Sequence, residues 1–190
     1  MIKLNLNPYI VIGVGRCGSS FVSKILHDDY NISMGESFVP ANEFNPDGYY
    51  ECLTLGYLLS QCSLGEITYP KMLKKLSVYI AGRPKRWGFK DRGSLNLIFF
   101  NFNEPRIIAC ERPYWLCLRS LIKKQKVREP KLTKDEVEKY FECRKVMYER
   151  MIKYFNPVVI PFRRSVRTTK EEVMEILERK WPDINGELTT

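Results

Sequence analysis

The chain is poor in the residues that metal and redox chemistry draw on. Among its 190 residues there is one histidine, His27, and the six cysteines (Cys17, Cys52, Cys62, Cys110, Cys117 and Cys143) form no C-x-x-C pair. That scarcity argues against a Cys/His zinc site, and no metal is expected. No run approaches the roughly 20 apolar residues of a membrane-spanning helix. Met1–Val14 lacks a basic segment followed by a long apolar one, and it reads as a first strand rather than a secretion signal. Without such a signal an even cysteine count does not imply disulfides. The thiols are expected to be reduced and the compartment cytoplasmic. Internal repeats and low-complexity tracts are lacking too. With 44% hydrophobic and 13% aromatic residues, disordered and collagen-like classes are excluded.

What is present suits one domain spanning residues 1–190, with enough apolar material for a core. The net charge of +9 is unevenly spread. Residues 1–60 carry 3 basic and 6 acidic side chains, whereas residues 71–128 carry 15 basic and 3 acidic. A concentrated positive field draws anions, either nucleic acid or a multiply phosphorylated small molecule. The plain alternative is a solvated basic surface with no specific partner.

Short apolar runs alternate with amphipathic segments. Pro8–Gly13, Trp87–Lys90, Arg106–Cys110 and Pro157–Pro161 have the length and composition of buried parallel strands. Helices are expected over Ser19–Leu26, Tyr49–Cys62, Pro70–Ala81, Leu95–Phe100, Tyr114–Lys126 and Lys134–Phe155. The last of these carries Val137, Phe141, Tyr148, Met151 and Phe155 on one stripe. Thr169-x-x-Glu172 is a capping box that opens a final helix, with Val173, Ile176, Leu177 and Trp181 facing inward. Residues 35–48 are punctuated by glycine and proline and read as a loop. The fold class is α/β, a three-layer P-loop-type arrangement of a central parallel sheet flanked by helices.

Gly13-Val14-Gly15-Arg16-Cys17-Gly18-Ser19-Ser20 sits between the first strand and the first helix. Glycines permit left-handed backbone and close approach, so successive N–H groups can cradle an anion at the helix N-terminus. Ser19 and Ser20 add hydroxyl donors, and Arg16 adds a fixed charge. The spacing G-x-x-x-x-G-x-S matches the nucleotide P-loop, except that Ser19 stands where the phosphate-binding lysine belongs. Ordinary ATP or GTP hydrolysis is therefore disfavoured. Arg112 follows the strand Arg106–Glu111, and Ser120 lies eight residues on, inside the next helix. A planar guanidinium and a short hydroxyl so placed can converge on one phosphate.

Together these segments resemble the sulfotransferases that use 3′-phosphoadenosine 5′-phosphosulfate (PAPS). Gly15-Arg16-Cys17-Gly18-Ser19-Ser20 resembles their 5′-phosphosulfate loop, and Arg112 with Ser120 their 3′-phosphate site. Asn45-Pro46-Asp47-Gly48-Tyr49-Tyr50-Glu51 looks like a stretch common in bacterial and viral members. Lys90-Asp91-Arg92 is similar to their strand-end K-D-x-R-like segment, and Phe162-Arg163-Arg164 fits the order near the C-terminus. Cytosolic steroid and phenol sulfotransferases carry lysine in place of Arg16, and their glycine-rich R-K-G segment has no counterpart here.

The resemblance implies PAPS as donor co-substrate, without a metal, and transfer of its sulfuryl group to a hydroxyl or amine of a small-molecule or glycan acceptor. It implies that the loop N–H groups, Ser19 and Ser20 hold the 5′-phosphate. Arg16 would stabilise the leaving oxygen, and Arg112 and Ser120 would select the 3′-phosphate. Glu36 is the first choice for the general base, with Glu43, Asp47, Glu51 and His27 as alternatives. Lys90 either contacts the sulfuryl group or braces its strand end. Tyr49, Tyr50 and Trp87 either stack on an acceptor or belong to the core. Two other functions compete: a degenerate P-loop nucleotide kinase, and a non-catalytic phospho-ligand or nucleic-acid module. No helix-turn-helix, RRM or zinc-finger signature supports nucleic-acid binding.

Overall fold

The computed structural model describes residues 7–90, 102–125, 132–163 and 168–186. Its first strand, β1 (Tyr9–Ile12), is buried at all four positions. A strand covered on both faces shows no alternation, which is why Tyr9-Ile10-Val11-Ile12 is a continuous apolar run. Helix α1 (Ser19–Asp28) follows, then a long connection to α2 (Leu53–Ser63) and α3 (Tyr69–Ala81). Pro70 lies in the first turn of α3, where its missing N–H costs nothing. Strands β2 (Gly88–Lys90) and β3 (Arg106–Glu111) precede α4 (Tyr114–Gln125) and the long α5 (Lys134–Phe155). The described chain closes with β4 (Val158–Pro161), α6 (Lys170–Lys180) and a 3₁₀ turn over Pro182–Asn185.

The four strands form one parallel sheet in the order β2-β1-β3-β4, flanked by helices. Ile10 aligns with Phe89 on one side and Ile107 on the other, and Ala109 with Val159. One continuous cluster of buried residues runs from the sheet into α1, α2, α3, α5 and α6. Trp87, Phe89 and Phe102 pack mutually at ring-centroid distances of 5.8–6.0 Å beside β2. Such aromatic pairs add about 0.5–1.5 kcal/mol each beyond their buried area. The expected capping box is formed, with Thr169 and Glu172 opening α6, and a second one, Thr133 with Glu136, opens α5. Each cap is worth about 1 kcal/mol.

At the amino-terminal edge of the sheet, Arg106 is held by three side chains. Its guanidinium lies 5.2 Å from the Tyr9 ring and 5.8 Å from the Trp181 ring. It also donates to the Tyr9 hydroxyl and pairs with Asp183. This clasp ties the turn after α6 to β1 and β3.

The expected helix over Tyr49–Cys62 begins four residues late, at Leu53. Tyr50 adopts φ +50° and Cys52 bridges to Phe38, so the chain there is committed to the loop. Helix α1 runs two residues beyond the expected Leu26. Asp91, Arg92, the expected helix Leu95–Phe100, Lys126 and Arg164 lie outside the described residues.

Candidate functional site

Because the strands are parallel, their carboxyl ends share one edge, which is where open α/β sheets place ligands. Here β1 runs into the 13–18 turn, β2 ends at Lys90, β3 is followed by Arg112 and β4 by Phe162. The turn holds three left-handed residues: Gly15 at φ +91°, Arg16 at +59° and Gly18 at +96°. This is the kind of backbone from which anion nests are built. Gly18 is the N-cap of α1 and supplies no side-chain cap, and the first turn carries no acidic residue. The positive end of the helix dipole therefore faces the site unneutralised by a carboxylate of its own.

Gly18 is required twice over. Its φ excludes most side chains, and a Cβ there would stand 2.5–2.6 Å from the Phe162 ring. Below the turn, Cys17 is fully buried, and its sulfur fills the space that a Cβ on Gly13 would need.

Arg16 is a non-glycine residue in the left-handed region, a conformation that costs about 1–2 kcal/mol. Both ends of the residue are engaged. Its carbonyl accepts from Arg112 Nη1 at 3.0 Å and from the Cys117 thiol at 3.6 Å. Its guanidinium donates through Nε to Ser120 Oγ at 3.0 Å and through Nη2 to the Phe44 carbonyl at 3.1 Å. Arg112 and Ser120 are thus joined through Arg16. Burial pushes the Cys117 thiol up to about 12, and Cys110, fully enclosed, is raised as well. These thiols are packing groups rather than nucleophiles.

Lys90 enters from the end of β2. Its Nζ donates to Ser20 Oγ at 2.9 Å and the Tyr49 carbonyl at 2.8 Å, and pairs with Glu51 at 2.9 Å. Burial lowers the Lys90 pKa, and the Glu51 carboxylate only partly opposes that shift. On the neighbouring wall, Lys124 Nζ donates to the Tyr49 hydroxyl at 3.0 Å, and that hydroxyl donates to Asn42 Oδ1 at 2.9 Å. Burial pushes the phenol upward, but the Lys124 ammonium, the Asn42 contact and the Arg16 charge together outweigh it and leave Tyr49 below its ordinary value.

These groups line a cavity of about 610 Å³. Among the described lining residues, the cations are Arg16, Lys90, Arg112, Lys124 and Arg144, and the sole carboxylate is Glu51. Gly15, Gly18, Ser19 and Ser20 also face it, while Ser120 adjoins through its bond to Arg16. Glu36 is not in the lining. Its side chain is 63% exposed and forms an ion pair with Arg83. Glu43 and Asp47 are exposed and do not line the cavity either. His27 packs its ring against Phe38 and Tyr50 at centroid distances of 5.3 and 5.7 Å. Trp87 is a core residue. Among the described residues, no group of three metal-ligating side chains forms, and no helix is long and apolar enough to cross a membrane.

Sequence reasoning did not single out Lys124, Arg144 or the packing of Phe162 on Gly18. For Lys124 a signal existed: it lies one turn beyond Ser120, and residues four apart share a helix face. Phe162 and Arg144 reach the site only through the order of strands in the sheet. The chain matches no protein-family model, and no curated protein matches it.

Proposed function

We propose that the chain is a P-loop-type sulfotransferase, transferring the sulfuryl group of PAPS to a hydroxyl or amine of a small-molecule or glycan acceptor. The observation that supports this most is the Arg112–Arg16–Ser120 cluster standing against a left-handed glycine turn at the start of α1. A guanidinium and a hydroxyl beside a phosphate-type turn suit a nucleotide with two separated anionic groups, and the residues present fit PAPS in that respect. The absence of a P-loop lysine at Ser19 weighs against ordinary ATP chemistry.

When bound, PAPS supplies an activated sulfur: its bond to the phosphate oxygen breaks as the acceptor oxygen or nitrogen bonds to sulfur. The chain's part is positioning and charge stabilisation, as in phosphoryl transfer. The turn amides, Ser19 and Ser20 bind the 5′-phosphate. Arg16 turns its guanidinium to the departing oxygen as negative charge grows there. Arg112, released from the Arg16 carbonyl, and Ser120 grip the 3′-phosphate. Lys90 holds Ser20 in place. The acceptor proton passes to a carboxylate; Glu51 is the one that lines the cavity among the described residues, while Glu36 would have to leave Arg83.

Calorimetric titration with 3′-phosphoadenosine 5′-phosphate, beside ADP and ATP, tests this on wild type and Arg112→Ala. Binding of the 3′-phosphorylated nucleotide alone, weakened about tenfold or more by the substitution, is expected for a charge-assisted contact. Preference for ATP, or indifference to Arg112→Ala, would overturn the proposal.

A further inference from the structure

Lys124 is nine-tenths buried, with 9% of its surface exposed. Its ammonium contacts a phenol: Nζ lies 3.0 Å from the Tyr49 hydroxyl and 4.7 Å from that ring's centroid. No carboxylate pairs with it among the described residues. An ammonium taken out of water without a counter-ion is costly, and proteins ordinarily pair it. The one carboxylate in the described lining, Glu51, is already engaged by Lys90. Among the described residues, the cavity around Lys124 is therefore short of negative charge.

Of the other cations in the described lining, Lys90 is paired with Glu51, and the remaining three stand at the turn. Arg16 is part of it and Arg112 bonds to its carbonyl. Arg144 Nη1 comes within 3.8 Å of the Cβ position at Gly15. Lys124 instead faces the wall built by Tyr49 and Asn42, on the segment before α2. We infer that Lys124 marks a second anion subsite, distinct from the nucleotide's phosphates, and that the acceptor carries an oxyanion which docks there. This rests on the sulfotransferase reading, because it takes the turn side of the cavity as the donor's. Carboxylate and sulfate or phosphate esters share the required chemistry: a negative charge and oxygen lone pairs for an ammonium. The Tyr49 hydroxyl already gives its one proton to Asn42 Oδ1 and accepts from Lys124, so the Lys124 ammonium itself supplies both the charge and the hydrogen bond to the anion.

The test titrates inorganic sulfate and, separately, malonate into the full chain saturated with 3′-phosphoadenosine 5′-phosphate, at constant ionic strength. Wild type, Lys124→Met and Lys124→Arg are compared, and each variant's melting is recorded. Saturable oxyanion binding in wild type is expected, weakened about tenfold or more by Lys124→Met and restored by Lys124→Arg. The stronger of the two probes separates a tetrahedral dianion from a carboxylate. Equal binding in wild type and Lys124→Met, or none in either, overturns the subsite. So does a fall in nucleotide affinity in Lys124→Met, since Lys124 would then serve the donor. If the nucleotide fails to bind wild type at all, the sulfotransferase reading falls. Sulfate binding by the nucleotide-free chain then decides the subsite alone: dependence on Lys124 retains it, and independence ends it.

Discussion

Replacing Gly18 by alanine probes the junction of turn, helix and sheet at a single methyl group. Two costs add. The residue sits at φ +96°, where an L side chain is strained by about 1–2 kcal/mol. Its new Cβ would also stand 2.5–2.6 Å from the Phe162 ring, an overpacking worth about 1–3 kcal/mol. Alanine restricts the unfolded chain and returns about 0.4–1 kcal/mol. The net expectation is a loss of about 1–4.6 kcal/mol. Gly65→Ala is the control, because it has φ +75° and nothing within 4 Å of its Cβ position. It bears the strain and the entropy gain without the collision, so the two variants should differ by about 1–3 kcal/mol. Urea denaturation measures both, with an unchanged m-value confirming that only stability has moved. Adding Phe162→Leu to Gly18→Ala should recover part of the difference, whereas Phe162→Leu alone should destabilise. Equal losses for Gly18→Ala and Gly65→Ala would refute the idea that β4 clamps the turn through Phe162.

Three further outcomes follow from contacts described above. Lys90→Met should cost about 3–5 kcal/mol in chemical denaturation, because it removes the buried ammonium that pairs with Glu51, and adding Glu51→Gln should restore part of it. Thiol titration of the native chain should label Cys143 first and Cys62 more slowly. Cys17, Cys52, Cys110 and Cys117 are buried and should react only on unfolding. Asp183, bonded to Arg106, titrates below its ordinary range in the folded chain. Its stabilisation is therefore fully present above about pH 4, the unfolded value, and is lost as acid protonates the folded carboxyl. Asp183→Asn should make stability less dependent on pH below about 4, read by thermal melts across acid pH.

Much of the fold could be read from local pattern. Strands β1, β3 and β4 announced themselves as short apolar runs, although β4 leaves Val159 exposed, and α5 falls on Lys134–Phe155 because its cap, its stripe and Asn156 all mark it. Asn156 ends it in a left-handed conformation at φ +44°. The turn and the Arg112/Ser120 spacing are likewise local, and the fold brings both to one edge. Residues 49–52 were harder, since Tyr49 and Glu51 have ordinary helix propensity. Contacts with Lys124 and Lys90, distant in sequence, hold them in the loop. Glu36 illustrates the same limit from the other side: its partner Arg83 lies 47 positions away, and nothing in either segment foretells the pair. Sheet order, which brings β4 and Phe162 beside the turn, is a global property with no local mark.

The Arg106 clasp has a consequence for how this chain can vary. It gathers Tyr9, Trp181 and Asp183 at the amino-terminal edge, while the cavity lies at the opposite ends of the same strands. Anchorage and recognition are thereby separated by the length of β1 and β3. A lineage of such proteins could exchange the lining residues to suit a new ligand while the anchor kept the sheet in register. Conversely, drift at the anchor would lower abundance without redirecting what is bound.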